Sequence, residues 1–143
     1  MVRAIDKESP TVAQNITPRR AKIVYIVDDD DAVRCGLAKL LQSAGLDPRP
    51  YGLAAEFLAN VANHDGACIL LDITMPRLTG LQVQARLREQ KVELPVITVS
   101  ARDDEETRLL ARSLGARMFL RKPVDDQALL DAIDWVTSGP ATG

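Results

Sequence analysis

Five short apolar runs alternate along this chain with segments whose apolar residues recur every three or four positions. The first run, Ile23 to Val27, is rich in β-branched residues and reads as a buried strand. After it, Val33, Leu37, Leu40 and Leu41 fall on one helical face, with Asp31 placed to cap the helix and Gly45 to close it. Asp47 to Tyr51 reads as a second strand, and its two prolines put it at a sheet edge. A second helix over Ala54 to Val61 turns Phe57, Leu58 and Val61 inward. The third strand runs from Cys68 to Asp72, and a Met75-Pro76 turn follows. Thr79-Gly80-Leu81-Gln82 has the form of a capping box and opens a third helix to about Gln90. Pro95 to Ser100 is the fourth strand. Asp103 to Glu106 supplies a cap and first-turn acid for a fourth helix, which Gly115 closes. Met118 to Arg121 is the fifth strand. A last helix from about Asp125 places Leu129, Ile133 and Val136 on one face, and Gly139-Pro140 stops it.

Strict alternation of strands and helices predicts an α/β fold, a parallel sheet covered on both faces. Right-handed crossovers leave few arrangements, and the doubly wound five-stranded order 2-1-3-4-5 is favoured at this size. Residues 21–137 form this single predicted domain. Residues 1–20, without helical or strand periodicity, are expected to be a flexible extension, and 138–143 a tail or linker.

A buried strand has no use for a charge in its interior, but can carry one where the sheet ends. The third run ends in Asp72, and the first in Asp28-Asp29-Asp30-Asp31. In the order 2-1-3-4-5 the tips of strands 1 and 3 adjoin at the crevice where ligands bind, so Asp28, Asp29 and Asp72 converge there. Ser100 and Lys122, at the ends of strands 4 and 5, border the same crevice. Clustered carboxylates repel one another and hold protons more tightly unless a cation occupies the site. An all-oxygen donor set with room for water suits Mg²⁺ better than zinc. Taken alone, Asp72 reads equally well as a turn cap; the second acidic strand end tips the balance.

Composition narrows the function classes. The 143 residues are 46% hydrophobic and 27% charged, the profile of one ordinary globular domain. A formal net charge of -2 and 3% aromatics disfavour a surface built to grip or stack on nucleic acid. No apolar run is long enough to cross a membrane, and the first residues lack the apolar core of a secretory signal, so a cytoplasmic location is expected. Cys35 and Cys68 form no metal-type pair and are expected to be packed and reduced. His64 lies in an Asn-His-Asp-Gly turn and reads as a solvated loop residue, not a phosphoryl carrier.

Taken together, Val27-Asp28-Asp29, Asp72 with Met75-Pro76 and Gly80, Ser100-Ala101, and Phe119 three residues before Lys122-Pro123 resemble the receiver domain of two-component response regulators. The resemblance runs from about Lys22 to Val136 and implies a flavodoxin-like (βα)5 fold. It also implies that Asp29 and Asp72 coordinate Mg²⁺ directly, Asp28 through water, and Thr74 through its backbone carbonyl. Asp72 would take a phosphoryl group from a phosphohistidine on a sensor histidine kinase or phosphotransfer protein, while Lys122 neutralises charge on the phosphoryl oxygens. The Lys122-Pro123 bond is a candidate cis peptide. Ser100 and Phe119 would form a switch that repacks the face made by the fourth helix, fifth strand and fifth helix. Many relatives have tyrosine at the switch position; Phe119 has no hydroxyl to offer an output contact. Thr74 and Arg102 would tune the lifetime of the phosphate. The implied partners are a kinase, a downstream protein target and a phosphorylation-dependent second copy of the domain, with no direct nucleic acid contact and no membrane. Such a domain dephosphorylates itself slowly and is not a turnover enzyme.

Three other readings compete. A phosphatase of the haloacid dehalogenase type also uses an aspartyl nucleophile, but wants a second Asp where Thr74 stands. The acidic opening resembles the branch whose members often carry a C-terminal helix-turn-helix; only Thr137 to Gly143 follow the last helix, so a receiver cut before its effector competes with a stand-alone one. A degenerate receiver is disfavoured because the acidic, hydroxyl and lysine positions are all filled. The reading carried forward is a stand-alone phosphoacceptor domain.

Overall fold

In the computed structural model, residues 21–73, 80–101 and 104–138 are described. Among them, five strands alternate with five helices: β1 (Ile23–Val27), α1 (Asp31–Ser43), β2 (Asp47–Tyr51), α2 (Ala54–Asn60), β3 (Cys68–Asp72), α3 (Gly80–Glu89), β4 (Val96–Ser100), α4 (Glu105–Ser113), β5 (Ala116–Arg121) and α5 (Asp126–Ser138). The strands form one parallel sheet in the order β2-β1-β3-β4-β5, as the alternation predicts.

The apolar runs are continuous because each central strand buries both faces. On one face Tyr25, Val27, Ile69 and Leu71 pack against Phe57 and Leu58 of α2 and Val83 and Leu87 of α3. On the other, Val24, Ile26, Cys68, Leu70 and Ile97 pack against Leu41 of α1 and Leu129, Ala132, Ile133 and Val136 of α5. The period of two along each strand divides the runs between these two cores.

Strand β2 lies at the edge, and its prolines fit there. The Asp47 N–H donates to the Lys22 carbonyl and the Tyr51 carbonyl accepts from the Asp28 N–H, so the odd positions face β1. Pro48 and Pro50 alternate with them and turn to the open side, where no N–H is required. Gly45 closes α1 with φ of 83°, donating to the Gln42 carbonyl while Leu46 donates to Leu41. A side chain would strain that left-handed backbone, which is why glycine serves.

Three local expectations need correction. Asp30, not Asp31, caps α1: its backbone is extended, and its Oδ1 accepts from the N–H groups of Ala32 and Val33 at 2.9 and 3.1 Å. Asp31 is already helical and pairs with Arg34 instead. Cys35 is exposed on the outer side of α1, whereas Cys68 is buried as expected. Strand β5 begins two residues earlier than its apolar core suggested, at Ala116, with a register shift opposite Val96 and Ile97 that accommodates the extra residue. The Met75-Pro76 turn and the Thr79 capping position lie outside the described residues.

Candidate functional site

Register alone brings the acids together. Val27 pairs with Leu71 across β1 and β3, so Asp28 and Asp72, the next residue on each strand, meet at neighbouring tips. Asp72 is opposite Val99, and Ser100 is opposite Arg121, which sets Lys122 one step beyond. The backbone N–H of Lys122 donates to the Ser100 carbonyl at 2.9 Å and fixes the start of the following turn. The Lys122-Pro123 peptide is cis.

Carboxylate oxygens of Asp28, Asp29 and Asp72 all lie within 4.8 Å of one another. Asp28 and Asp72 are 3% and 4% exposed, whereas Asp29 opens to solvent. Lys122 reaches between the buried pair, its Nζ 2.9 Å from Asp28 Oδ2 and 3.3 Å from Asp72 Oδ2. Burial pushes the Asp28 carboxyl above its usual range; the N–H of Asp30 and the Lys122 ammonium oppose that rise without cancelling it, and the neighbouring Asp72 adds to it. Burial by itself would lower the Lys122 ammonium, but its bond to Asp28 and the attraction of Asp72 and Asp28 raise it on balance.

The four consecutive aspartates therefore have four separate placements. Asp28 is buried beside Lys122, Asp29 faces the crevice, Asp30 caps α1, and Asp31 pairs with Arg34. Ser100 is fully buried at the end of β4. Phe119, opposite Thr98 on β5, is half-buried and packs on the α2/α3 side of the core, with the Arg108 guanidinium 5.4 Å above its ring. Thr74 and Arg102 lie outside the described residues.

The donor set fits a hard divalent cation. Among the described residues the candidate ligands are all carboxylate oxygens, two of them buried and one exposed, leaving access for water ligands. Beside the acids, a groove of about 570 Å³ runs between α1 and the start of α5, with Val33, Leu37, Pro123 and Val124 among its walls.

Two polar residues that sequence reasoning passed over bond to carbonyls outside their own helices, and of these Arg34 touches the site. The Arg34 Nη1 donates to the Asp28 carbonyl at 2.7 Å. Gln84 of α3, buried, donates at 3.2 Å to the Ala111 carbonyl in the last turn of α4 and joins the two helices. Neither had a signal in periodicity or motif: Arg34 bonds a carbonyl six residues back, across the turn into α1, and Gln84 bonds one 27 residues ahead.

Comparison with known proteins gives the same answer. A family model described as the response regulator receiver domain matches residues 24–134. The chain is 38% identical over 114 residues to the response regulator protein TodT of Pseudomonas putida, covering 80% of this chain and 50% of that one. It is 40% identical over 114 residues to the transcriptional regulatory protein TdiR of Thauera aromatica, with the same coverage. The chain thus spans about half the length of these curated relatives. The solved structure of the chemotaxis protein CheY4 of Vibrio cholerae superimposes with a TM-score of 0.75 at 27% identity, over 81% of this chain and 98% of that one. This family signals rather than turns over substrate, works with histidine kinases and downstream effectors, and generally holds Mg²⁺ in an acidic pocket. The chain belongs to the receiver domains of two-component response regulators.

Proposed function

We infer that Asp72 is the phosphoacceptor of this receiver and that residues 21–137 act as one signalling unit. The observation that carries the reading is the Lys122 ammonium held between two buried carboxylates at neighbouring strand tips. A lysine there neutralises negative charge entering the crevice and keeps Asp72 anchored.

Asp72 attacks the phosphorus of a phosphohistidine on the partner. An O–P bond forms to the carboxylate as the N–P bond to imidazole breaks, and the imidazole leaves with the electron pair of that bond. Asp29 and Asp72, with Asp28 through water and the Thr74 carbonyl, would hold Mg²⁺, which when bound offsets charge on the transferring group. Lys122 shifts its contact from the carboxylate pair toward the phosphoryl oxygens. Ser100 donates its hydroxyl to a phosphoryl oxygen, and Phe119 then turns inward, repacking α4, β5 and α5 for a downstream protein or a second copy of the domain. Thr74 and Arg102, two residues after Asp72 and Ser100 respectively, are the positions assigned to set how slowly the phosphate is lost.

Incubation with acetyl phosphate and Mg²⁺ tests the assignment. Wild-type protein should gain one hydroxylamine-labile phosphoryl group, and Asp72→Asn none; undiminished labelling of the variant would refute it.

A further inference from the structure

Arg34 stands one turn into α1, outside the residues that face the crevice, yet its side chain is only 22% exposed. One arm of its guanidinium, Nη1, donates to the Asp28 carbonyl at 2.7 Å, and the other, Nη2, is paired with the Asp31 carboxylate. The accepting oxygen belongs to the peptide joining Asp28 to Asp29, so the bond fixes the plane from which the Asp29 side chain departs. Asp29 is exposed and needs such fixing more than its buried neighbours do. The guanidinium also lies against Gly52, in the turn after β2. A β-carbon at Gly52 would sit 2.8 Å from Nη1, 3.0 Å from Cζ and 3.3 Å from Nη2, and those are its three nearest atoms. Gly52 is not among the described residues with left-handed backbone, so only Arg34 requires glycine there.

We propose that Arg34 is a positioning residue for the metal-binding acids, orienting the Asp28-Asp29 peptide by a guanidinium clamped between α1 and Gly52. The inference rests on the reading of Asp28, Asp29 and Asp72 as the Mg²⁺ site. A planar guanidinium holds its donors in a rigid fork, so one arm can bond a carbonyl while the other pairs with a carboxylate; an ammonium is a compact charge whose donors rotate and impose no such plane. Partners that orient metal ligands in this way typically contribute tenfold or more to metal affinity.

Two variants separate positioning from simple loss of fold. Arg34→Gln removes the clamp. Gly52→Ala leaves Arg34 in the chain, touches no acid, and displaces the guanidinium, whose flexible end can yield. Mg²⁺ affinity is read by competition against Mn²⁺ followed by electron paramagnetic resonance, together with the metal-free melting curve and the labelling rate by acetyl phosphate across Mg²⁺ concentrations. Both variants should bind Mg²⁺ about tenfold more weakly, melt cooperatively without metal, and recover the wild-type labelling rate at saturating Mg²⁺. Wild-type affinity in both variants would overturn the role of Arg34 while leaving the acid site intact. Failure of the wild-type protein itself to bind either ion would instead overturn the acid site, and this inference with it.

Discussion

Gly80 is packed so tightly beneath Asp72 that a β-carbon there would lie 2.7 Å from the Asp72 carbonyl oxygen. The same atom would lie 2.3 Å from the Ile73 Cα and 2.5 Å from its Cγ2. Helix α3 begins at this glycine, and its first turn can reach the end of β3 only because no side chain intervenes. The glycine thus links the packing of a helix start to the position of the candidate phosphoacceptor.

Gly80→Ala should therefore be costly on two counts. The obstructing atoms are mostly backbone and cannot rotate away, so overpacking should cost about 2 kcal/mol of stability, measurable by urea unfolding. The acetyl phosphate labelling rate should fall as well, since Asp72 is displaced with its strand end. A variant as stable and as reactive as wild type would contradict the close packing.

Burial of the Asp28 carboxylate costs stability that its bonds to Lys122 and the Asp30 N–H offset only in part. Burial raises Asp28 above the usual 3.8, so the folded protein holds that proton more tightly than the unfolded chain does. Metal-free stability from this group is then present at low pH and lost as pH rises from 3.8 through the higher native value. At pH 7 Asp28→Asn should make the metal-free protein more stable by about 1 kcal/mol, because Lys122 keeps Asp72 as a partner. Added Mg²⁺ should stabilise the variant less than wild type. Chemical unfolding with and without Mg²⁺ checks both; a destabilised metal-free variant would show that the bond between Lys122 and Asp28 outweighs burial.

Arg108 over the Phe119 ring should bias the switch toward its present position. Cation–π contacts at such sites contribute about 0.5–1 kcal/mol. Arg108→Ala should shift Phe119 toward the inward conformation by that amount, visible in the ring proton resonances without phosphorylation. Ser100→Ala should accept phosphate yet leave those resonances unmoved. Equal phosphorylation-induced shifts in wild type and Ser100→Ala would break the proposed coupling.

The two cysteines should differ sharply in reactivity. Burial pushes the Cys68 thiol up to about 12, while Cys35 is exposed. Because the thiolate is the reactive form, iodoacetamide at pH 8 should modify Cys35 alone in folded protein and both after denaturation. Comparable rates at both positions, read by mass spectrometry, would contradict the buried placement of Cys68.

The parts of this molecule that were legible in its sequence share a cause. Ile23–Val27 and Cys68–Asp72 could be read as strands because burial on both faces demands unbroken apolar runs, and Asp28 and Asp72 stood out because charge interrupts them. Prolines in Asp47–Tyr51 marked the edge for an equally direct reason, the missing N–H. Within Asp28 to Asp31, however, four identical side chains carry no local signal of which one caps the helix. That is decided by where the backbone turns, and it turns at Asp30. Arg34 and Gly52 were invisible because their relationship is a contact between a guanidinium and a bare backbone, 18 residues apart, with no periodicity to reveal it.

The most direct test of the account is to locate the phosphoryl group by covalent trapping. Protein phosphorylated by acetyl phosphate in Mg²⁺ is reduced with borohydride, which converts an aspartyl phosphate to homoserine, and then digested for mass spectrometry. Homoserine is expected at residue 72 and unmodified aspartate at 28 and 29. Homoserine at either of those positions, or phosphate retained on His64, would contradict it.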